Sequence, residues 1–522
     1  MTPLVHDLIN QAAWRTPHAP ALRYLDKSLS YDELARCVEV AAQGLLGLGL
    51  ARGERVAVFI DKCEEAVLAL FGAAAAGLVF VPLNPLLKPA QVGHILRDCG
   101  ARVLLTSPGR LATLALELGR CPDLYCVLQT GAADGMLPGL GVLAWDGWMR
   151  RADGAPARDA HRRIDTDMAA LLYTSGGSGA PTGVVLSHRN LVAAAGSIAA
   201  YLGYSAHERI LALLPLSFDY GLSQLTGAFA AGAAVVLMNP LLTRDIPAMV
   251  ARERITVLAA LAPLWIQLAE LHWDAPHNLC TITSSGGAIP RAALEALRRR
   301  LPDTRVYLMY GQTEAFHATC LAPEQLDQRP DSLGKAIPNA DVLVLRPDGQ
   351  PCGPGEPGEL VYRGPLVALG YWNDAARTAE RFRPLPAQPG LPFAGTGVWS
   401  GETVRMDEEG FLYFIGRSDD MITTGGYRVS PTEIEEVLYA TGLVAEAAAL
   451  GLEHPVLGQS IALAVTPRRG CLLEPAVLLA ACRAKLPGYM LPLLAQVREA
   501  LPRSPNGKFD RRLLAAQMAG GA

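Results

Sequence analysis

Short apolar runs alternate with helical segments along the first four-fifths of the chain. The runs are five or six residues long, mostly apolar on both faces, and lie at residues 55–60, 102–106, 209–214, 234–238, 256–260 and 305–309. Strands that are buried on both faces and separated by helices are typical of parallel sheets. We therefore predict an α/β fold with a large N-terminal domain of layered, mostly parallel sheets covered by helices.

The pattern changes after residue 340, where strands become shorter and glycine and proline more frequent. A chain of 522 residues is too long for one ordinary core. We predict a large domain over residues 1–415, with a small β-rich subdomain over about 341–415. A hinge at 416–420 would connect it to a small, mobile α+β domain over 421–522.

Charge and cysteine content exclude several classes of protein. The chain has 46 lysine and arginine residues and 50 aspartate and glutamate residues, so its net charge is 46 − 50 = −4. This slightly negative charge gives no indication of a nucleic-acid partner. The ten cysteines are scattered without zinc-ligand spacing, which favours a reduced, cytoplasmic protein. The N-terminus lacks the apolar run of a secretory signal. The sequence leaves open whether the protein is a monomer or a homodimer.

One apolar segment, residues 66–83, reaches the length at which a membrane span must be considered. Its first part is rich in alanine, whereas Leu78 to Pro82 is β-branched and aromatic, and Gly77 separates the two. The change in pattern at a glycine predicts a buried helix followed by a buried strand. We therefore expect no transmembrane segment.

A glycine-rich run follows the apolar start at residues 171–173. It reads Thr174-Ser175-Gly176-Gly177-Ser178-Gly179-Ala180-Pro181-Thr182-Gly183. Glycines let backbone N–H groups close on a polyphosphate, and the neighbouring hydroxyls add donors. The run has neither the lysine of a Walker loop nor the third glycine of a dinucleotide fingerprint. Its composition fits a phosphate cradle or a flexible loop.

The full run resembles the phosphate-loop signature of the AMP-forming adenylating enzymes, a superfamily of acyl-CoA synthetases, peptide-synthetase adenylation domains and luciferases. Further segments resemble its other motifs in the same order: Ser285-Gly286-Gly287-Ala288, Tyr310-Gly311-Gln312-Thr313-Glu314, Gly401-Glu402, Gly416-Arg417-Ser418-Asp419-Asp420, Gly425-Gly426-Tyr427-Arg428 and Asn506-Gly507-Lys508. The similarity covers nearly the whole chain and is nearest to an acyl-CoA ligase. A weaker similarity points to a ligase subgroup associated with bacterial exosortase systems.

The resemblance implies ATP-dependent activation of a carboxylic acid to an acyl-adenylate, release of pyrophosphate, and transfer of the acyl group to a thiol. It implies catalytic roles for Lys508, Thr313 and Glu314, with Glu314 as the Mg²⁺ ligand. The implied ATP/AMP-binding residues are Thr174, Ser175, Gly176, Gly177, Ser178, Gly179, Gly286, Gly287, Ala288, Tyr310, Gly311, Gln312, Glu402 and Arg417.

The same resemblance implies two arrangements of the C-terminal domain. Asp419 would be the hinge at which the domain rotates between a pose that presents Lys508 and one that presents the Gly425-Gly426 turn. Gly425, Gly426 and Arg428 would border the tunnel for the thiol arm. That arm belongs either to coenzyme A, which we favour, or to the phosphopantetheine of a carrier protein. No carrier domain follows Lys508, so we expect any acyl or peptidyl carrier to be a separate protein.

Phe218, Asp219 and His317 are the residues that we expect near the small-molecule acid. If Asp219 faces the acyl pocket, it indicates an amino acid or an amine-bearing acid. The alternative is that Asp219 caps the next helix. The chain length of the acid cannot be read from the sequence.

The chain departs from the family pattern at two positions. Thr182 stands where relatives usually have lysine in the phosphate loop, and Thr423 stands where many have another lysine. Because Lys508 is present, an active ligase is our main hypothesis. The alternative from another class is a nucleotide-binding regulatory protein that has lost turnover.

Overall fold

The computed structural model of the chain describes residues 3–132, 139–175, 181–273, 277–286, 289, 291–385, 395–417, 421–468, 471, 473–502 and 511–519. Helices and strands alternate in the first part of the chain. They are α1 (Asp7–Arg15), β1 (Pro20–Tyr24), β2 (Lys27–Ser30), α2 (Tyr31–Gly47), β3 (Arg55–Phe59), α3 (Glu64–Ala76), β4 (Val79–Pro82), α4 (Pro89–Asp98), β5 (Ala101–Thr106), α5 (Pro108–Leu118), β6 (Cys126–Gln129), β7 (Gly141–Ala144) and α6 (Trp145–Asp153).

The alternation continues through the middle of the chain. The elements there are β8 (Met168–Ser175), β9 (Pro181–Ser187), α7 (His188–Leu202), β10 (Arg209–Ala212), α8 (Asp219–Ala231), β11 (Ala234–Leu237), α9 (Asp245–Arg252), β12 (Val257–Leu261), α10 (Ala262–Glu270), β13 (Thr281–Ser285), α11 (Arg291–Arg300), β14 (Arg305–Gln312) and β15 (Phe316–Leu321).

Strands dominate the next segment, and helices return near the C-terminus. The remaining elements are β16 (Ser332–Ala336), β17 (Asp341–Leu345), β18 (Pro357–Arg363), β19 (Gly370–Tyr371), α12 (Ala375–Arg381), β20 (Phe382–Pro384), β21 (Thr396–Met406), β22 (Leu412–Arg417), β23 (Ile422–Thr424), β24 (Tyr427–Val429), α13 (Pro431–Tyr439), β25 (Val444–His454), β26 (Gly458–Pro467), α14 (Pro475–Lys485), β27 (Leu494–Val497) and α15 (Arg511–Ala519).

Two large sheets confirm the predicted α/β class. The first runs in the order β17-β18-β21-β22-β16-β15-β14-β13-β12-β10-β11-β1-β2, with β20 attached to β21. Its strands from β14 to β1 are parallel, and those from β15 to β17 are antiparallel. The second runs β19-β9-β8-β4-β3-β5-β6-β7 and is parallel from β8 to β7.

Helices α3 and α8 join the two sheets into layers. The rings of Phe71 in α3 and Phe229 in α8 meet edge to face, with centroids 5.4 Å apart. The Tyr31 hydroxyl donates to the Ala233 carbonyl at 2.7 Å. Because these side chains are almost fully buried, the layers share one core and hold the carboxyl ends of their strands in fixed positions.

The apolar segment at 66–83 is a buried helix and a buried strand, as predicted. Helix α3 ends at Gly77, whose φ of +82° is a left-handed conformation that glycine adopts without strain. Strand β4 then pairs in parallel with β3. Across the described parts of the chain, no helix has the length and apolar character that a membrane crossing requires.

The C-terminal segment forms its own sheet, in the order β24-β23-β26-β25, with β27 parallel to β26. Helices α13 and α14 pack on this sheet through Ile434, Leu438, Leu478 and Cys482, all of which are buried. The glycine pair at 425–426 connects β23 to β24. A separate core therefore carries this turn.

Candidate active site

The carboxyl ends of β12, β13 and β14 meet at one edge of the first sheet because these strands are parallel neighbours. Strand β14 continues into a tight hairpin with β15, in which Gln312 pairs with Phe316. A Cβ at Gly311 would lie 1.9 Å from the Phe316 carbonyl oxygen, so only glycine fits there. The turn between Gln312 and Phe316 carries Thr313 and Glu314.

Glu314 is buried in this hairpin and remains ionised. The Tyr371 hydroxyl donates to its Oε1 at 2.7 Å. Burial alone would raise the pKa of Glu314. The guanidinium of Arg428, the Tyr371 hydrogen bond and the guanidinium of Arg381 together hold that pKa below its usual value. The cleft thus contains a carboxylate that is charged although it is removed from water.

Tyr310 and Glu402 meet at the side of the same hairpin. The Tyr310 hydroxyl donates to Glu402 Oε2 at 2.5 Å, and Glu402 is 5% exposed. The Phe414 ring lies at a tilt to Tyr310, with centroids 6.4 Å apart, and remains 44% exposed. An aromatic pair and a carboxylate acceptor therefore stand side by side, an arrangement that can hold a purine ring and a ribose diol.

The glycine-rich run is framed by the β8–β9 hairpin, in which Thr174 pairs with Thr182. Several predicted site residues lie outside the described part of the chain: Gly176, Gly177, Ser178, Gly179, Gly287, Ala288, Asp419 and Lys508. The backbones of Ser175 and Arg417 are described as the ends of β8 and β22. Arg417 pairs with Glu402 across β21 and β22, so the two residues are backbone neighbours.

The glycine turn of the C-terminal segment lies at the edge of the first sheet. Gly425 and Gly426 have φ values of +56° and +83°. A Cβ on Gly286, at the end of β13, would lie 3.2 Å from the Gly426 Cα, and one on Gly426 would lie 2.9 Å from the Leu261 methyl groups. The structure therefore brings the Gly425-Gly426 turn against Gly286, a residue far from it in the sequence.

Side chains next to this turn extend the contact. The Arg428 Nη1 donates to Gln312 Oε1 at 3.3 Å. The Tyr427 ring meets Phe218 edge to face at 4.8 Å and stacks on Tyr489 at 3.8 Å. The C-terminal domain therefore docks with its glycine turn facing the hairpin that carries Glu314.

Asp219 and His317 lie beside each other behind Phe218. Asp219 is the first residue of α8 and follows the N-cap Phe218. Burial raises the pKa of Asp219 and lowers that of His317, whereas each group opposes the shift of the other. The sequence left open whether Asp219 caps α8 or faces the acyl pocket; the N-cap of α8 is Phe218, and the pocket role of Asp219 stays a prediction.

Glu433 in α13 anchors the docked C-terminal domain to α4. The Gln91 Nε2 donates to Glu433 Oε1 at 2.7 Å. Burial raises the pKa of Glu433 to about 7; the hydrogen bond from Gln91 opposes this rise, and the charge of Glu436 adds to it. Glu433 also acts electrostatically on Tyr489.

This carboxyl group should make docking depend on pH. Below its ordinary pKa of 4.5, Glu433 is protonated in both docked and detached domains, and docking has its full strength. As pH rises through 7, docking should weaken, because the docked domain carries the Glu433 charge with a larger burial penalty than the detached domain does. Energy transfer between one fluorophore on each domain should therefore fall between about pH 5 and 8.

Glu433→Gln is expected to remove most of this pH dependence, because glutamine keeps a hydrogen-bonding side chain but does not titrate. Glu436→Gln, on the same helix, serves as the matched control and should keep the dependence. Identical pH curves for the wild type and Glu433→Gln would assign the dependence to another group.

A family profile described as "AMP-binding enzyme" matches residues 9–372. The chain belongs to this family. A second profile, "AMP-binding enzyme C-terminal domain", matches residues 433–508 of this AMP-binding enzyme. The chain is 29% identical to a long-chain-fatty-acid–CoA ligase of Escherichia coli O157:H7, over 98% of the chain and 94% of that protein.

Two structures of one relative match this AMP-binding enzyme to different degrees. An o-succinylbenzoate CoA synthetase from Bacillus subtilis, a double mutant bound with a product analogue, matches with a TM-score of 0.83 at 27% identity, over 97% of both chains. The same synthetase in complex with ATP and magnesium reaches a TM-score of 0.68 at 27% identity, over 97% of the chain and 98% of its own. The overall arrangement is thus nearer to the product-analogue complex.

Several residues of the cleft were not predicted from the sequence. Tyr371 bonds Glu314, Phe414 faces Tyr310, and Arg381 acts on the charge of Glu314. Arg377 donates from Nη1 to Thr182 Oγ1 at 3.0 Å. The sequence offered one indication of these residues. Arg377 and Arg381 are spaced i, i+4, which places both basic side chains on one face of a helix.

Proposed function

We infer that this AMP-binding enzyme is an AMP-forming acid–thiol ligase. In the first step, a carboxylate oxygen of the acid bonds to the α-phosphorus of ATP, and the bond to pyrophosphate breaks. In the second, a thiol sulfur bonds to the acyl carbon, and the bond to AMP breaks. The supporting observation is that the Glu314 hairpin, Glu402 and the glycine turn of the C-terminal domain meet at one cleft.

We propose that Tyr310 and Phe414 enclose the adenine and that Glu402 accepts from the ribose hydroxyls, with Arg417 in support. Thr174 and Thr313 would donate to phosphate oxygens, and Gly286 would border the nucleotide. These roles are supported by the position of the aromatic pair next to a buried carboxylate. The Tyr310 hydroxyl holds Glu402 in place, so a ribose would meet an oriented acceptor.

Glu314 fits a magnesium ion. Its carboxylate is buried and held ionised. Among the residues that the structure describes, no three histidine, cysteine or acidic side chains form a metal cluster. This suits Mg²⁺, which in nucleotide sites takes one or two carboxylates together with substrate phosphates. The ion would neutralise phosphate charge beside Glu314.

We propose that the docked arrangement serves thiol transfer and that coenzyme A is the acceptor. The Gly425-Gly426 turn adds no side chain of its own where it approaches Gly286 and Leu261, which suits a narrow thiol arm. The higher TM-score with the product-analogue complex of a CoA synthetase supports this choice. The phosphopantetheine arm of a separate carrier protein has the same chemistry and is the alternative acceptor.

A panel of carboxylic acids tests the function. We expect acid-dependent pyrophosphate release, trapping of the adenylate by hydroxylamine, and one thioester formed per pyrophosphate when coenzyme A is present. Free coenzyme A and carrier proteins that bear a free phosphopantetheine thiol are compared as acceptors at equal concentration. Nucleotide binding without any acid-dependent pyrophosphate would instead support a regulatory protein that has lost turnover.

The acid that this cleft accepts is proposed to be short. The Tyr220 ring packs on His317 with centroids 4.7 Å apart, and its hydroxyl shares a hydrogen bond with Thr283 Oγ1 at 2.6 Å. Behind it, Tyr201 and Met309 complete a buried cluster. A long alkyl tail behind Asp219 and His317 would have to displace these packed side chains.

Tyr220→Ala should shift the preference towards longer straight-chain acids, because removal of the ring opens space behind His317. The expected change in the octanoate-to-butyrate ratio of kcat/KM is about tenfold or more. Tyr220→Phe keeps the ring and should leave the ratio unchanged. An unaltered ratio in Tyr220→Ala would place the acyl pocket elsewhere.

Amine-bearing acids are a second candidate class, supported by the Asp219 carboxylate beside the cleft. An ammonium group would form an ion pair with this buried carboxylate, whose pKa is raised by burial and lowered by the neighbouring His317. A comparison of β-alanine with propionate in the same panel distinguishes the two classes.

A further inference from the structure

Thr182 leaves the phosphate hairpin without the lysine that the family pattern has at this position. It lies in β9 opposite Thr174 and is buried. A threonine hydroxyl can donate to a phosphate oxygen but adds no charge. Any positive charge at this corner must therefore come from another part of the chain.

Helix α12 brings such a charge to Thr182. Asp374 caps the helix by accepting from the Arg377 backbone N–H at 2.9 Å. The Arg377 side chain then crosses the Tyr371 ring, with its Cζ 4.6 Å from the ring centroid, and Nη1 donates to Thr182 Oγ1 at 3.0 Å. The guanidinium is thus held by an aromatic face and a hydroxyl.

Neither of these partners neutralises the guanidinium. Within the described ranges, no carboxylate oxygen lies within 4.0 Å of an Arg377 nitrogen, so Arg377 forms no salt bridge there. Tyr371 also bonds Glu314, so Arg377 lies one side chain away from the proposed magnesium ligand. Arg381, one turn later on α12, acts on the Glu314 carboxylate itself. The helix therefore directs two cations towards the hairpin pair that frames the cleft.

We propose that Arg377 binds the β- and γ-phosphates of ATP, and hence the leaving pyrophosphate, in place of a phosphate-loop lysine. This inference rests on the proposed function. A guanidinium suits the role because its planar donors match two phosphate oxygens and it remains charged at every physiological pH. One of these donors, Nη1, is hydrogen-bonded to Thr182 Oγ1, and the Tyr371 ring keeps the guanidinium oriented.

The test compares ligands with and without the outer phosphates. Calorimetric affinities for ATP, for inorganic pyrophosphate and for AMP are measured without any acid, so the result does not depend on turnover. Arg377→Ala is expected to lower the affinities for ATP and pyrophosphate about ten- to a hundredfold, which is the usual effect of losing a hydrogen bond to a charged group. AMP, which lacks those phosphates, should bind as tightly as before.

Further variants separate charge from structure. Arg377→Lys keeps the charge and should retain most of the pyrophosphate affinity. Thr182→Val removes one of the two groups that hold the guanidinium but keeps its charge, and should weaken pyrophosphate binding less than Arg377→Ala does. In the Arg377→Ala background, Thr182→Lys returns a cation to the loop and should recover affinity for pyrophosphate.

Three results would overturn the proposal: equal losses for AMP and pyrophosphate, no loss for either, or no recovery in the double variant. A protein that binds nucleotide with the expected Arg377 pattern but releases no pyrophosphate with any acid would contradict the proposed function alone.

Discussion

Replacing Lys508 by alanine is expected to remove adenylate formation while leaving transfer from a preformed acyl-adenylate to coenzyme A intact. The first step brings an anionic carboxylate to a polyanion, so its transition state needs a cation. A charge about 4 Å from a phosphate oxygen contributes roughly 4 kcal/mol at an effective dielectric of about 20, before any desolvation cost. Loss of one such group typically lowers the rate about 10²- to 10³-fold.

Two half-reactions separate these effects. Acid-dependent pyrophosphate exchange reports the first, and thioester formation from synthetic acyl-adenylate reports the second. Lys485→Ala, at the end of α14 in the same domain, controls for the loss of a surface lysine. ATP affinity should change little in Lys508→Ala. Unchanged exchange in Lys508→Ala would remove this residue from the mechanism.

Replacing Gly426 by valine should have the opposite result, with adenylate formation retained and thioester formation lost. Gly426 has φ +83°, and a Cβ there would lie 2.9 Å from the Leu261 methyl groups. A branched side chain would therefore keep the turn away from Gly286. Under the proposed two arrangements of the domain, the first half-reaction does not use this docked turn, so pyrophosphate exchange should persist.

Gly442 supplies a matched control in the same domain. It also has a positive φ, +72°, but a Cβ there would meet nothing within 4 Å. Gly442→Val thus carries the backbone strain without the collision, and should retain both half-reactions. Leu261→Ala in the Gly426→Val background should restore part of the thioester formation, since it opens the space that the valine needs. Loss of both half-reactions in Gly426→Val would indicate misfolding rather than blocked docking.

The sequence predicted those parts of the fold that depend on local pattern. The boundary between α3 and β4 follows from Gly77, and the parallel strands follow from short runs that are apolar on both faces. The positions of Tyr310, Glu314 and Glu402 followed from motifs, and the structure brings these residues to one cleft. Their chemical roles remain predictions.

Contacts between distant parts of the chain could not be predicted in this way. Thr182 and Arg377 are 195 residues apart, and neither residue type alone indicates a partner. The docking of Gly426 on Gly286 likewise depends on how two separately folded cores meet. Local sequence patterns contain no information on that arrangement, because each core satisfies its own hydrogen bonds and apolar contacts.

The reach of Arg428 towards Glu314 has a consequence for turnover. In the docked domain this guanidinium helps to keep the Glu314 carboxylate ionised, which is also the role that a divalent ion would fill. A guanidinium and a divalent ion would therefore stabilise the same carboxylate. In the proposed two-pose cycle, withdrawal of the domain would remove this guanidinium, and an incoming metal–nucleotide complex would then meet the Glu314 carboxylate with one fewer cation beside it.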